Sequence, residues 1–368
     1  MAFSGWVIGQ IACFCTQCTD RRDVDMPTLN PKENLLRCLH GQIPEYVPQY
    51  SYYGALPGVE GPPPNMGVGL APLRGERSEG GFKDLWGVPY TSVEEVGGFS
   101  LPTPNEFILK DITKWYDVIK VPERLKDVDW KAAAEESMKN LQHSRETTSL
   151  WYGPGGGTFL NLMNLMGFTE GLSALYEEPD AVKELLQFFF DFYYPIAEQV
   201  FDVFQPDVMS LGDDAASEHN PFISPAMYRE FFVPIYREYT KFAIDRGIPV
   251  NMHLCGRGED FIPDLVRIGV TSWEPVQLRN DIHEVKRRFG RQMVIGGGWE
   301  GRGRLTELDV TDEEIRQSVR DAYDAYAPGG AYMFAAAYTP RSTNDELTAH
   351  WNEVLQKEAW EYGQTFYK

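Results

Sequence analysis

The sequence predicts an α/β protein built as a (β/α)8 TIM barrel, with an N-terminal extension and long covering loops. Two observations predict it. From about residue 148 onward, short apolar runs alternate with amphipathic helical stretches, and no Rossmann glycine fingerprint marks that alternation as an open dinucleotide-binding sheet. The 368 residues allow one large barrel as well as two domains, and length does not decide between them. The expected division is an extension over residues 1–29 and a single barrel domain over 30–368.

The elements follow in order. Asn30-Pro-Lys-Glu33 has the form of a helix start, with Asn at the cap, Pro in the first turn and Glu three residues on, and it opens a short amphipathic helix from Glu33 to His40. Residues 54–105 are rich in Gly and Pro, keep no sustained period and read as long loops over one end of the fold. Leu150-Trp-Tyr152 is an apolar run leading into Gly153-Pro-Gly-Gly-Gly157. Helices are expected over 168–177 and 179–203, then a strand at Val208-Met-Ser-Leu211. Ser224 followed by Pro225 starts a helix running to about Asp245, with Tyr228, Phe231, Phe232, Ile235, Tyr239 and Phe242 forming its apolar stripe. After it come strand 248–254, helix 259–268, strand 270–274, helix 281–289 and strand 292–297. Helix 311–326, opened by Thr311-x-x-Glu314, then strand 331–336 and helix 344–362 complete the chain.

Composition excludes several function classes. A formal net charge of −20 argues against a nucleic-acid or anionic-membrane surface, where a basic stripe is required. No segment approaches the roughly 18–20 uninterrupted apolar residues of a membrane span, so a soluble globular protein is expected. Five cysteines, an odd number in a long chain, fit a reducing, cytoplasmic compartment rather than a disulfide framework. The apolar N-terminus has no Lys or Arg ahead of it and no small-x-small cleavage site, so a signal peptide is not expected. Cys13, Cys15 and Cys18 cluster there as candidates for a metal or iron–sulfur centre, but without a fourth cysteine nearby they read rather as part of a loosely ordered leader.

The chemistry concentrates at Asn251-Met-His-Leu-Cys-Gly-Arg257. His253 and Cys255 end a strand two residues apart, on one side of it, and imidazole nitrogen with thiolate sulfur suits zinc. The bland alternative is a buried histidine beside an inert cysteine. In a barrel, catalytic groups gather where strands end, and the strand ends in order give Asp213 and Asp214, His253 and Cys255, Glu274 and Gln277, Trp299 and Glu300, then Tyr338. A catalytic zinc takes three protein ligands and keeps one open position. No cysteine follows Cys255, so the third ligand is expected among Glu274, Asp214, Glu218, His219 and Glu300, with Glu274 favoured because it ends the adjacent strand. Gly153–Gly157 lacks the Lys and Ser/Thr of a phosphate loop, and Gly296–Gly298 lacks dinucleotide spacing; both read as places of close approach.

From Pro31 onward the chain resembles the uroporphyrinogen decarboxylase superfamily, and within it the corrinoid-dependent methyltransferases. The carriers are Pro31-Lys-Glu-Asn-Leu-Leu-Arg37, Ile223-Ser-Pro-Ala-Met-Tyr-Arg-Glu-Phe-Phe232, Gly247-Ile-Pro-Val250 with His253-x-Cys255-Gly256, Asp264-Leu-Val-Arg-Ile-Gly-Val270, Pro275-Val-Gln277 and Ala327-Pro-Gly-Gly330. The resemblance implies a (β/α)8 barrel with its site at the carboxyl ends of the strands. Decarboxylases of the superfamily carry an arginine-rich segment near the N-terminus, whereas Val47-Pro-Gln-Tyr-Ser-Tyr-Tyr-Gly54 here has no arginine. The methyltransferases hold zinc through His-x-Cys and a later Cys, and the later Cys is absent. This departure puts thiol activation in doubt and leaves Lewis-acid activation of an ether or amine. The combination looks like the first methyltransferase of O-demethylase systems, with a methyl ether, aromatic by expectation, giving its methyl group to the cob(I)alamin of a partner corrinoid protein. No cobalamin-binding Asp-x-His-x-x-Gly pattern occurs in this chain. That reading assigns Asp213, Asp214 or Glu300 as proton source. It gives the substrate pocket to Trp151, Tyr152, Trp273, Gln277, Trp299 and Tyr338, and the metal to His253, Cys255 and Glu274. A homodimer is compatible with the resemblance, although no interface pattern carries it. The alternatives are a porphyrinogen-type decarboxylase and a noncatalytic barrel that binds small aromatics.

Overall fold

A computed structural model describes residues 28–51, 55–78, 80–93, 99–340 and 345–368. The leader and its Cys13, Cys15 and Cys18 lie outside the described residues. The first helix, α1 (Pro31–Leu39), starts as its sequence requires: Asn30 accepts from the Glu33 amide while the Glu33 carboxylate accepts from the Asn30 amide. This reciprocal cap satisfies two amides that the first turn leaves without partners.

Seven parallel strands follow one another around a curled sheet: β1 (Asn65–Val68), then β6 (Ser149–Tyr152), β7 (Val208–Gly212), β8 (Val250–His253), β9 (Ser272–Val276), β10 (Val294–Gly297) and β11 (Tyr332–Met333). Beside β11, Phe334 bridges Gln49 in parallel, with Tyr50 N–H donating to Phe334 O at 2.8 Å and Phe334 N–H to Pro48 O at 2.8 Å. Two residues on, Ser51 meets β1, its amide donating to Asn65 Oδ1 and its carbonyl accepting from Asn65 Nδ2. Residues 48–51 thus run between the last strand and the first, held partly by a side-chain amide that imitates a peptide.

The region 54–105, expected as loops, contains β1 and a separate antiparallel sheet of β2 (Glu76–Ser78), β3 (Gly81–Lys83), β4 (Pro89–Val93) and β5 (Phe99–Pro102). Strands of three to five residues are too short to show period two among so many glycines and prolines, which is why the sequence pattern hid them. Two short helices, α2 (Trp115–Val118) and α3 (Trp130–Lys139), lead to β6.

Outside the curl pack α4 (Phe159–Met166), α5 (Phe168–Glu177), α6 (Pro179–Phe204), α7 (Pro225–Phe231), α8 (Val233–Ile244), α9 (Ile262–Ile268), α10 (Ile282–Phe289), α11 (Asp312–Tyr326) and α12 (Glu346–Gly363). The helix expected from Ser224 to Asp245 is two helices broken at Phe232, because Pro234 brings no N–H and its ring clashes with the carbonyl four residues back. The core has two parts. The larger lies between sheet and helices and holds Phe189, Phe204, Met252 and Trp273; each such side chain, fully buried, stabilises the fold by about 1.5–3 kcal/mol. The smaller fills the inside of the curl, where Leu35, Cys38 and Leu39 of α1 meet Trp151, Val294 and Met333. Alternation along each strand sorts side chains between these two parts. Among the described residues no helix is long and apolar enough to cross a membrane.

Candidate metal centre

In β8, Val250 and Met252 join the outer core, and Asn251 and His253 take the opposite, inner face. In β9 the outward residue is Trp273, so its neighbours Ser272 and Glu274 point inward. The strand register sets His253 directly beside Glu274. His253 Nδ1 lies 3.1 and 3.2 Å from the two Glu274 oxygens, and its Nε2 lies 3.6 Å from Cys255 Sγ. Asp214, in the loop after β7, brings Oδ1 to 3.9 Å from Nε2 and accepts the Cys255 amide at 2.9 Å. The donor atoms of Asp214, His253 and Cys255 all fall within 4.8 Å of one another, the one such group of three among the described residues.

This trio has the donor chemistry of zinc, and its nitrogen–sulfur pair has the spacing, while Asp214 Oδ1, 3.9 Å from Nε2, stands wider than the roughly 3.4 Å a shared zinc would set. Nitrogen, sulfur and oxygen are the donors zinc takes, and with its usual bond lengths at a tetrahedral angle the nitrogen and sulfur stand about 3.6 Å apart. Glu274, expected from the sequence as the third ligand, is outside this group of three. It occupies the other ring nitrogen, where it fixes the tautomer and aims Nε2 at the Cys255 side, the part a carboxylate plays behind a metal-bound histidine. Glu274 is buried and is itself held: Asn251 Nδ2 donates to it at 2.9 Å, and Ser272 Oγ donates to Asn251 Oδ1 at 2.8 Å. Gly296 makes room for it, since a Cβ there would lie 2.8 Å from the Glu274 Cβ. Glu274→Gln keeps the shape and removes the charge, so zinc affinity measured by chelator competition is expected to fall roughly 10- to 100-fold.

The turn that carries Cys255 is held from several sides. Gly256 N–H donates to Gln277 Oε1, Gly256 O accepts from Asn280 Nδ2 at 3.0 Å, and Arg257 N–H donates to Ser217 O at 2.8 Å. Gly256 has φ +84°, and a Cβ would come within 2.5 Å of the Ala216 and Ser217 carbonyl oxygens, so this position requires glycine. Burial lowers the proton affinity of the His253 ring, but Cys255 and Glu274 outweigh it and hold the pKa up at about 11, a measure of how anionic the surroundings are. Burial, and then the Asp214 charge, push the Cys255 thiol up, against the pull of His253.

The other residues singled out in the sequence are placed as follows. Asp213 is buried and turned away from the trio, accepting from the amides of Phe159 at 3.0 Å and Leu160 at 3.1 Å and from the Tyr236 hydroxyl. It fills the N-terminus of α4, so the glycine loop before that helix presents no free anion site. Burial pushes its carboxyl up to about 7 against those three donors. Glu300 accepts the Leu278 amide at 2.8 Å and pairs with Arg302. Glu218 pairs with Arg279 at 3.0 Å, and His219 is outside the trio. Gln277 braces the Cys255 turn. Tyr152 packs outward on Phe204, and Trp273 is buried with Nε1 donating to Leu254 O. Trp299 donates to Ser318 and meets Tyr338 edge-on at 5.0 Å. Of the aromatic residues named, Trp151 alone lines the cavity of about 580 Å³ that opens onto His253. Asn251, Ser272 and Asn280 were missed; a polar residue on the inward face of a strand was the signal available for the first two.

The family model described as Uroporphyrinogen decarboxylase (URO-D) matches residues 110–354, more than half of the chain. No curated protein matches the sequence. Among solved structures, a methyltransferase from Methanosarcina mazei superposes over 91% of this chain and 99% of its own, with a TM-score of 0.57 at 14% identity, a likeness of fold. An endo-beta-N-acetylglucosaminidase from Cordyceps militaris covers 58% of this chain and 70% of its own at 11% identity, and its TM-score of 0.31 carries no argument.

Proposed function

The chain belongs to the uroporphyrinogen decarboxylase family, and from that premise we propose that it is a zinc-dependent methyltransferase. It moves a methyl group from an aromatic methyl ether to the cob(I)alamin of a corrinoid protein. The observation that carries this reading is the trio of nitrogen, sulfur and oxygen donors at the end of β8, beside a cavity whose described lining holds no Lys or Arg. The same lining disfavours a porphyrinogen-type decarboxylase, whose substrate's many carboxylates need cationic partners. The Methanosarcina mazei neighbour, itself described as a methyltransferase, shares the fold the reading requires.

His253, Cys255 and Asp214 would hold the metal, which would supply Lewis acidity toward the ether oxygen. Glu274, fixed by Asn251 and Ser272, keeps the imidazole in one orientation. Gln277 and Asn280 keep the Cys255 turn from relaxing. Trp151 and Tyr50 provide the aromatic wall against which the substrate ring lies. The carbon–oxygen bond of the methyl ether would break with its electron pair on oxygen, and the methyl carbon would pass to the corrinoid protein, whose reduced cobalt would supply the electron pair of the new bond. The phenolate would take a proton from solvent and depart as the phenol. The free Cys38 and Cys255 and the reduced corrinoid suit a reducing, cytoplasmic compartment.

The test is methyl transfer from 2-methoxyphenol to a reduced corrinoid protein, followed with zinc content. A strong chelator is expected to abolish transfer and added zinc to restore it, with about one zinc per chain at full activity. Undiminished transfer by the chelated, metal-free protein would remove the Lewis-acid role.

A further inference from the structure

The cavity beside His253 has a definite chemical character. Tyr50 and Trp151 form one wall, their ring centroids 4.8 Å apart. Most of the polar groups around them are already engaged. The Asn65 amide is occupied at both ends by the Ser51 backbone, Trp151 Nε1 donates to Ser149 Oγ at 2.9 Å, and Ser210 Oγ accepts from Asn251 at 3.4 Å. Exposed Gln142 and neighbouring His143 stand at the mouth.

Among the described residues, the carboxylates closest to this space are Glu274 and Asp214. Glu274 lies behind the His253 ring and Asp214 lies on its far side. Burial, and after it the Glu274 charge, raises the Tyr50 phenol above its usual range. A carboxylate entering here loses hydration and finds no Lys or Arg among the described lining residues; the two positive charges of a bound zinc would be matched by the Cys255 thiolate and Asp214, and Glu274 would leave the surroundings net negative. An uncharged ring loses little hydration and gains contact with Trp151 and Tyr50.

We infer that this cavity selects a methyl donor without negative charge, an uncharged methoxyarene, and rejects its ring-carboxylated analogues. The inference rests on the methyl-transfer reading and adds the substrate's charge class to it. Calorimetric titration of the zinc-loaded full chain with 2-methoxyphenol and with 4-hydroxy-3-methoxybenzoate, alongside demethylation assays of both, tests it. The neutral probe is expected to bind at least tenfold tighter. Gln142→Lys, which places a cation at the mouth, is expected to raise affinity for the benzoate several-fold. Equal or tighter binding of the benzoate by the unmodified chain, with demethylation intact, overturns the charge selection and leaves the methyl-transfer reading standing. If neither probe binds and neither is demethylated, the methyl-transfer reading falls and takes this inference with it.

Discussion

Cys255→Ala is expected to strip the protein of zinc, from about one ion per chain to a small fraction of that after dialysis against a weak chelator. Structural zinc sites bind with about 10–16 kcal/mol shared over four ligands, so losing one ligand costs on the order of 3 kcal/mol, roughly 100-fold in affinity or more. The loss is not offset elsewhere, because His253 and Asp214 are the other members of the one donor trio among the described residues. Cys38→Ala is the control. That thiol is buried beneath the sheet, 3.6 Å from Tyr332 O, and burial pushes it up to about 12, so it is an inert part of the packing. The control is expected to keep its zinc. Full zinc in Cys255→Ala would show that the metal is held elsewhere and would refute the centre.

Asp213→Ala has the largest expected effect on stability. Its carboxyl group accepts from two amides at the start of α4 and from the buried Tyr236 hydroxyl, and alanine leaves all three donors without it. Unsatisfied buried donors cost about 1–3 kcal/mol each before relaxation, so a loss of about 3–5 kcal/mol is expected in urea unfolding. Glu300→Gln, at a more exposed ion pair, is expected to cost no more than about 1 kcal/mol. Because Asp213 faces away from the trio, zinc content of the folded variant should be unaffected. Unchanged stability combined with lost methyl transfer would return Asp213 to the reaction itself.

The nearness of His253 and Cys255 was legible because a strand between two helical patterns is a strong signal and the two residues stand two apart where that strand ends. Helix starts at Asn30, Ser224 and Thr311 were legible for the same kind of reason: each cap is written in four consecutive residues. The placing of Asp214 beside His253 and Cys255 was not. Topology put Glu274 on the adjacent strand, and it is there, but which nitrogen of the ring it reaches depends on register and rotamer. Asp214 comes from a loop whose path is fixed by contacts that no local pattern records, including its acceptance of the Cys255 amide. The aromatic assignments show a stricter lesson. Trp273 and Glu274 are consecutive in one strand, so both cannot face inward, and Trp151 and Tyr152 are bound by the same rule. Alternation alone would have removed Trp273 and Tyr152 from the pocket once Glu274 and Trp151 were placed in it.

Helix α1 presses Leu35, Cys38 and Leu39 into the lower end of the curled sheet and closes it. If the chain transfers a methyl group as proposed, from a small donor to a whole protein, that closure would fix the sequence of events. Both reactants would use the rim at the carboxyl ends of the strands, and the larger would cover the doorway of the smaller. The methoxyarene would then board first, the corrinoid protein would seal it in, and the phenol would wait for its partner to leave. Steady-state kinetics should carry the signature of that queue: an ordered mechanism in which excess corrinoid protein inhibits by occupying the entrance too early.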